Sequence, residues 1–441
     1  MFNKISTRFI IITALLFFVM AGVLHAQQDT KSNAGSFYSS IGFGAPADVS
    51  SSIAFGTGLT GVSTYSGLSA NISNPAQWGL AAYTQGSLQI GYSSFDADDG
   101  ITTAERSLFG FENFQLVLPI LRNRLGVSLS FTPMFRSDFL RSEAGQFDPL
   151  PNLSGDLEDY AVRTVGSGGV NRFEIGAGYR VSDNLSLGYA FSSHLLAIKN
   201  NSVPLFTNLQ LRSIAYDIDI EGYSFGHRFG AFAFIEEPFS SEDELSIGLS
   251  ISLPVTIDAV RDYTAFRTVN NQREQVDFGE NSPFRNGSVK LPLEINTGLT
   301  YNLNRFSNIV AELQLQNWEN AEYTFSPSQQ AYFKDRVKAG LGYQFHPYRA
   351  DRRSGFFSNF KYSIGGSYDS GHLSIRGEDI QTLMLNAGIG LISRQSASSV
   401  DLGFHFGVRG TQSSNLVKET IWGFRLSLNL AEFMFVQQRF Q

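Results

Sequence analysis

Apolar residues alternate with polar or small ones in Leu125-Gly126-Val127-Ser128-Leu129-Ser130-Phe131. The same period of two recurs in residues 88–92, 185–191 and 426–430. This period is the signature of a β-strand, because successive side chains point to opposite faces. About 14 such segments, each followed by a turn, predict a closed barrel with one face towards lipid and the other towards a lumen.

The first 26 residues have the pattern of a secretory signal peptide. Lys4 and Arg8 precede an apolar run, residues 9–23, and the small residue Ala26 ends the stretch. A basic start, a short apolar middle and a small final residue direct export. The alternative is a membrane anchor, but the run is short for a spanning helix of ~20 residues. The chain has no cysteine, which excludes a lipidated cysteine, disulfides and thiolate metal sites.

The composition agrees with a barrel. Hydrophobic residues make up 42% and charged residues 17% of the chain, yet no later apolar run is long enough for a transmembrane helix. The 39 Phe, 17 Tyr and 3 Trp residues can supply aromatic girdles at both membrane interfaces. The formal charge of −7 becomes −9 when Lys4 and Arg8 leave with the signal peptide. This acidity argues against a nucleic-acid partner, which requires a basic face.

The pattern predicts an all-β fold: a transmembrane antiparallel β-barrel of about 14 strands with an N-terminal hatch or plug segment in the lumen. The predicted division is a signal peptide at 1–26, the hatch at 27–82 and the barrel at 83–441. Strands are predicted near 83–95, 105–119, 124–137, 171–181, 184–197, 214–235, 243–257, 288–302, 307–319, 334–346, 359–370, 380–392, 398–410 and 419–431. Long connections are predicted at 138–170, 198–213, 258–287 and 320–333. A bulge or bend is predicted at Gly222, because a glycine inside a strand often marks one.

Three sequence elements resemble those of one protein family. Asn74-Pro75-Ala76 follows a segment rich in glycine, serine and alanine and comes shortly before the first strand. Pro133 interrupts the otherwise regular third strand, and the alternating residues 224–231 resemble the family's sixth strand. The chain thus resembles the FadL family of outer-membrane transport proteins, which carry hydrophobic compounds and include the TodX type.

The resemblance implies a hatch inside a 14-stranded barrel, with Asn74, Pro75 and Ala76 in the hatch and on the ligand path. It also implies a kink at Pro133 that opens the barrel wall sideways. A proline cannot donate a ladder hydrogen bond, so pairing should weaken there in any case. Two simpler interpretations stay open: an ordinary turn at the Asn-Pro pair and an ordinary bulge at Pro133. The resemblance does not extend to residues 70–73, where the family often has an acidic residue and then an aromatic one.

Signals for an enzyme are weak. The five histidines that follow the signal peptide are scattered, with no pair at metal-ligand spacing, and no Gly-x-Ser-x-Gly elbow occurs in a strand-to-helix setting. A barrel hydrolase could still assemble a serine and a histidine from adjacent strands around His194 or His405. The prediction is a protein that is not an enzyme, with no catalytic residue, no metal and no cofactor.

The predicted function is passive uptake of hydrophobic small molecules, such as long-chain fatty acids or aromatic compounds, across a Gram-negative outer membrane. The expected partners are a hydrophobic ligand and the outer-membrane lipid, which would receive the ligand near Pro133. The alternative is a FadL-like barrel that binds a secreted protein partner as a component of a secretion system. In that case the long connections 138–170 and 258–287 would form the binding surface. An open porin is disfavoured, because the hatch would occupy the lumen.

Overall fold

The computed structural model describes residues 34–67, 69–147, 158–206, 214–269, 272–277, 285–347, 356–393 and 398–432. The predicted signal peptide and the first residues of the predicted hatch lie outside these ranges. Within them, no helix has both the length and the apolar character that crossing a membrane requires.

Fourteen antiparallel strands form the barrel wall, as the sequence predicts. Three of these strands, β3, β7 and β8, consist of two segments separated by two residues. The last strand pairs with the first from Thr84–Glu432 to Asp98–Lys418, which closes the barrel. The strands are β1 Thr84–Asp98, β2 Thr103–Leu121, β3 Leu125–Arg136 with Phe139–Phe147, β4 Glu158–Ser182, β5 Leu185–Phe206, β6 Ala215–Glu236, β7 Glu244–Ser252 with Val255–Val269, β8 Asn286–Leu291 with Glu294–Asn304, β9 Ser307–Gln316, β10 Arg336–Phe345, β11 Phe360–Asp369, β12 Thr382–Ile392, β13 Ser399–Gly410 and β14 Lys418–Glu432.

Short elements complete the connections. They are the 3-10 helices Trp318–Asn320, Phe356–Asn359 and Ser413–Asn415, the α-helix Pro327–Gln330, and the strands Gln272–Asp277, Glu322–Tyr323, Ser374–Ile375 and Glu378–Asp379. Residues 320–333, predicted as a connection, contain only short elements of this kind.

Side chains on the wall alternate between an apolar exterior and a polar interior. Ile364, Leu385 and Phe404 are at least 50% exposed, whereas the inward Ser363 and Asp401 are buried. Strands β9 to β13 contain 10 to 12 residues each. A tilted strand needs ~9–11 residues to cross a bilayer, so these strands match the apolar core of a membrane. The exterior apolar band therefore faces lipid.

One side of the barrel rises well above this band. Strand β4 has 25 residues, and β5 and β6 have 22 residues each. Their upper halves pair with the second segments of β3 and β7, and the second segment of β7 pairs with Gln272–Asp277. These six strands form a raised sheet, defined as residues 139–147, 158–168, 198–206, 215–221, 258–269 and 272–277. The long loops predicted at 138–170 and 258–287 are therefore wrong for most of these residues, and the one predicted at 198–213 is wrong for 198–206, because these residues form strands. Charged residues such as Lys199, Asp219 and Asp262 interrupt the apolar alternation there, which hid the strands in the sequence.

At Gly222, where a bulge or bend is predicted, the β5–β6 ladder has no bulge. The β5–β6 ladder runs through the Leu196–Gly222 pair without a register shift. Gly222 instead marks the place where β6 resumes pairing with β7, opposite Ala259. A Cβ atom at position 222 would lie 2.5 Å from the Asp258 carbonyl oxygen, so glycine allows this close approach.

The hatch, residues 34–82, lies inside the barrel and has little regular structure. It contains the 3-10 helices Phe37–Ser40, Ser52–Ala54 and Pro75–Leu80 and the two-residue strand Ala45–Pro46.

Four glycines on adjacent wall strands form a row beneath the last of these helices: Gly126, Gly178, Gly188 and Gly230. A Cβ atom at Gly188 would lie 2.2 Å from the Pro75 carbonyl carbon, and one at Gly126 would lie 1.9 Å from the Trp78 oxygen. The wall lacks side chains where the hatch backbone touches it.

Replacement of Gly188 by alanine should therefore destabilise the barrel, because the added methyl group must push the hatch helix off the wall. Overpacking of this kind costs about 1–3 kcal/mol. The free energy of unfolding in urea, with the protein in lipid vesicles, measures the effect. Gly86→Ala is the matched control, since its Cβ would lie 4.0 Å from its nearest neighbour. Equal stability of the two variants would contradict the close fit.

Candidate functional site

Charged side chains hold the hatch to the barrel wall at four places. At the first, Glu419 of β14 accepts hydrogen bonds from Ser36 Oγ at 2.6 Å and from the Phe37 backbone N–H at 2.5 Å. Glu419 is fully buried. A wall carboxylate thus satisfies a backbone donor at the start of the first hatch helix.

At the second place, Glu312 of β9 accepts three consecutive backbone N–H groups. The distances are 2.6 Å from Thr60, 2.9 Å from Gly61 and 2.9 Å from Val62. The Thr60 hydroxyl donates a fourth hydrogen bond at 2.8 Å. This hatch turn therefore obtains its acceptors from one wall side chain.

At the third place, the charges are reversed. The hatch residue Asp48 lies 3.0 Å from Lys338 Nζ and 3.2 Å from Arg336 Nη2. Burial raises the pKa of Asp48, but the adjacent ammonium and guanidinium groups outweigh it and hold the pKa well below its ordinary value. Asp48 is therefore ionised and bound to the wall by two cations.

At the fourth place, Arg228 of β6 donates to the backbone oxygens of Ile72 at 2.8 Å and Ser73 at 3.1 Å. Glu174 of β4 pairs with the same guanidinium group, which keeps the buried charge compensated.

Asn74, Pro75 and Ala76 lie together on the glycine row, directly after this anchor. Asn74 Oδ1 accepts from the Ala76 N–H at 3.0 Å and caps the helix, while Nδ2 donates to the Val62 oxygen at 3.1 Å and the Ala231 oxygen at 3.0 Å. The tripeptide thus joins two parts of the hatch to strand β6. Pro133 lies elsewhere, on strand β3.

The ladder between β2 and β3 is incomplete. Its last pair is Phe114–Phe131, and beyond it residues 103–113 and 132–136 do not pair with each other. Pro133 lies two residues past this pair, and the β3–β4 ladder shifts register between Pro133 and Phe135. We call this gap between β2 and β3 the seam.

The hatch strand closes the seam from inside. Ala45 and Pro46 pair antiparallel with Arg136 and Phe135 of β3. The next residue, Ala47, donates its N–H to the Met134 oxygen at 2.8 Å. Lipid cannot satisfy these backbone groups, so the hatch supplies the partners that β2 does not.

Two further bonds reach the β2 edge of the seam. The Ala34 N–H donates to the Ser107 oxygen at 3.1 Å. Arg136 of β3 extends across the gap and donates to the Phe111 oxygen at 2.6 Å, with Glu112 3.5 Å from the same guanidinium group. The seam is thus a break in the ladder that side chains and the hatch bridge.

An apolar cluster fills the barrel interior beside the seam. Phe43 of the hatch stacks on Trp318 at 5.3 Å and meets Phe135 of β3 edge-on at 5.0 Å. The remaining buried members come from five strands and the connection between β9 and β10: Val170, Leu196, Ile198, Ile220, Val255, Ile257, Ala259, Val289, Leu291, Ala321 and Tyr323. The protein's own side chains occupy this region.

Two connections cover the hatch at the outer end, opposite the short turns. The Gly42 N–H donates to Gln329 Oε1 at 2.9 Å, and Tyr38 packs with Leu373 and Ile375 in a second apolar cluster. At the short-turn end, a cavity of about 600 Å³ with a mixed polar and apolar lining lies beneath the hatch, with Tyr65 among its lining residues. The large apolar cluster thus lies in the outer half, and smaller buried clusters around Trp78 and Phe232 lie towards the short turns.

The structure supplies only part of the catalytic geometry that the alternative, a barrel hydrolase, requires. Ser93 Oγ lies 3.1 Å from His405 Nε2, but within the described ranges no carboxylate hydrogen-bonds to His405. His194 lies near Arg172 and Glu174, and its Nδ1 has no hydrogen-bond partner in the described part of the chain. No group of side chains suited to a metal ion occurs among the described residues.

Solved outer-membrane channels share this architecture. A Pseudomonas aeruginosa FadL homologue superposes with a TM-score of 0.56 at 12% identity, over 88% of this chain and 99% of that chain. The Ralstonia pickettii toluene transporter TbuX gives 0.52 at 13% identity, over 91% and 99%. The CymD monoaromatic hydrocarbon channel gives 0.52 at 13% identity, over 91% and 100%. At these identities the likeness shows the fold alone.

The protein is therefore a plugged, 14-stranded β-barrel with the fold of these channels. It belongs to the BamG family, which matches residues 1–441. The resemblance to the FadL family thus holds for the fold. No curated protein sequence matches the chain.

Sequence reasoning missed the residues that anchor the hatch, namely Glu312, Glu419, Arg228 and Asp48. A signal was available for Glu312, because a carboxylate lies inside the strand pattern Val310-Ala311-Glu312-Leu313. A charge at an inward strand position requires a buried partner. The partner's identity depends on how the hatch folds.

Replacement of Glu312 by alanine should loosen the hatch locally, because three buried N–H groups lose their acceptor at about 1–3 kcal/mol each. We expect the amide hydrogens of Thr60, Gly61 and Val62 to exchange at least tenfold faster, as measured by hydrogen–deuterium exchange mass spectrometry. Replacement of the exposed Glu237 serves as control. Unchanged amide hydrogen exchange at residues 60–62 would show that this hatch turn is stable without Glu312.

Proposed function

We propose that this protein is an outer-membrane channel for passive uptake of hydrophobic small molecules, such as long-chain fatty acids or aromatic compounds, with lateral release at the seam. The carrying observation is the incomplete β2–β3 ladder, which ends at Phe131 and is closed by hatch strand Ala45–Pro46. A seam that is closed by two residue pairs loses far fewer hydrogen bonds when it opens than a full ladder between two strands would.

The apolar cluster supports this proposal because it touches both the hatch and the seam. Phe43 belongs to the hatch and Phe135 to the seam, and the two rings are in direct contact. A hydrophobic ligand would replace such side chains and gain about 25 cal/mol per Å² of apolar area removed from water. The names of the TbuX and CymD channels, which share the fold, refer to toluene and monoaromatic hydrocarbons.

The proposed route runs from the outer end through the apolar cluster to the seam, and Asn74-Pro75-Ala76 anchors the floor of the hatch beneath it. The cavity at the short-turn end has charged residues such as Glu244 and Lys361 in its lining and suits a hydrophobic ligand less well than lipid does, which favours release sideways. No energy source is implied, so a concentration gradient drives the transfer.

A second candidate function is binding of a secreted protein partner, as in the alternative predicted from the sequence. The raised sheet favours it, because one of its two edge strands, Phe139–Phe147, pairs with β4 alone in the described part of the chain. An exposed strand edge can accept a further strand. A photo-crosslinking residue at the exposed Ala144 would capture such a partner in intact cells, and one at the lipid-facing Leu385 would not.

A disulfide between the hatch strand and β3 should abolish uptake. Pro46 and Phe135 are opposite each other, so cysteines there lie within bonding distance, and the chain has no other cysteine. We expect cells with oxidised Pro46→Cys/Phe135→Cys protein to lose uptake of labelled oleate or toluene and to regain it on reduction. A labelled sugar should stay outside in both states.

The matched control is Leu385→Cys/Phe406→Cys, an opposed pair on the lipid-facing surface of β12 and β13. Its oxidation should leave uptake unchanged. Uptake through the locked seam would rule out lateral release, and lack of uptake in all states would favour the partner-binding function.

Replacement of Pro133 by valine should also reduce uptake, because the new N–H allows the β2–β3 ladder to extend past Phe131. We expect several-fold slower oleate uptake and slower amide exchange in residues 132–136. Pro204→Val, in the raised sheet, is the control and should change neither quantity. Normal uptake by the Pro133→Val variant would show that Pro133 marks an ordinary bulge with no role in uptake.

A further inference from the structure

A separate cavity of about 130 Å³ lies directly behind the seam. Its seam side consists of Ala45, Pro46, Glu112 and Arg136, the residues that close the gap. A water molecule takes up roughly 30 Å³ of liquid volume, so the cavity has room for several waters or one small polar group. It is distinct from the apolar cluster, which Phe43 and Trp318 fill.

Four cations line this cavity, and three of them have partners. Arg136 lies 3.5 Å from Glu112, Lys338 lies 3.0 Å from Asp48, and Arg409 lies 3.8 Å from Glu419. The fourth, Arg425 of β14, has no hydrogen bond or ion pair with any described residue. Its half-buried guanidinium group has unused hydrogen-bond donors, and its charge acts on Asp48, which lines the cavity together with Glu112 and Asp138.

A second unused donor lines the same cavity. Asn386 Nδ2 of β12 is buried and has no hydrogen-bond partner within the described ranges. The hydroxyl of Ser93 and the imidazole of His405 also line the cavity, 3.1 Å from each other. Polar groups buried without partners are rare, and a cavity edge that carries a free guanidinium and a free amide donor suits an acceptor of negative charge.

We propose that this cavity binds an oxyanion, a phosphate or carboxylate group, through Arg425 and Asn386. The group is either a free anion or the head group of an amphipathic lipid that enters at the seam with its acyl chains still in the bilayer. The lipid-borne form rests on the proposed lateral opening. The binding of a free anion does not.

The position behind the seam explains why a head group fits. The cavity holds a head group but is too small for an acyl chain. Outside the seam, the apolar exterior of β2 and β3 offers the chain a lipid environment, with Phe109 and Leu129 both exposed. A lipid in this place would satisfy Arg425 inside and keep its apolar part outside, which a pure hydrocarbon cannot do.

Binding of inorganic phosphate to the purified full chain in detergent, measured by isothermal titration calorimetry, tests the site first. We expect saturable binding that Arg425→Gln weakens about 10- to 100-fold, since hydrogen bonds to a charged group carry such an effect. Arg425→Lys should keep part of the affinity. The control is Arg305→Gln, an exposed arginine in the short β8–β9 turn that also has no partner among the described residues.

Asn386→Asp is a second variant with nearly unchanged size, and its added negative charge should abolish binding. A heat-modifiability gel identifies any variant that fails to fold. Phosphate binding that Arg425→Gln and Asn386→Asp both leave unchanged overturns the proposal. So does the absence of binding by phosphate, lysophosphatidic acid and oleate alike.

The two sources of the oxyanion are separated with the disulfide across the seam. If the group arrives on a lipid, oxidised Pro46→Cys/Phe135→Cys protein in vesicles should lose lysophosphatidic acid binding but retain phosphate binding. If the anion is free, phosphate binds and neither lipid competes with it. Toluene uptake reports on the proposed function independently, because Arg425→Gln should leave uptake of a neutral hydrocarbon intact.

Discussion

The hatch has no helix or sheet long enough to pair its own backbone, yet it lies inside a barrel where unpaired polar groups are costly. Charged wall side chains supply the partners, and Glu312 alone accepts three consecutive N–H groups. The rest of the architecture depends on this hydrogen bonding between wall side chains and the hatch backbone. It accounts for the polar interior of the barrel, and the glycine row beneath Pro75–Leu80 lets the backbone come close enough for such bonds.

The anchors also determine which part of the hatch can move. Residues 36–37, 60–62 and 72–73 are tied to buried side chains, whereas strand Ala45–Pro46 is half-buried and bonded only to the edge of β3. Asp48 is the nearest charged anchor beyond it. A rearrangement limited to this short segment would open the seam while the floor of the hatch stays in place. Under the proposed lateral release, the hatch would combine a fixed plug with a small movable strand.

The sequence predicted the barrel well because lipid imposes a strict alternation on each strand, as in residues 125–131. It failed for the raised sheet, where charged residues such as Lys199 and Asp219 interrupt the apolar alternation. The Asn74-Pro75-Ala76 motif lies in the hatch and Pro133 lies beside the seam, whereas their roles on a ligand path and in a lateral opening stay predictions. The role of Arg425 could not be predicted from the sequence. An inward arginine is ordinary in a barrel strand, and its lack of a partner depends on residues that are far away along the chain.

The two interior regions beside the seam differ in chemistry, and this difference bears on the kind of molecule that fits. The apolar cluster around Phe43 and Phe135 lies on the β3 side, while the cavity at Arg425 lies towards β12 to β14. A purely hydrophobic solute would gain from the first region only and would leave the free guanidinium unsatisfied. An amphipathic molecule at the seam could place an anionic group at Arg425 and an apolar group against lipid or the cluster. Such a molecule would enter in one orientation, because the reverse orientation buries a charge among aromatic rings.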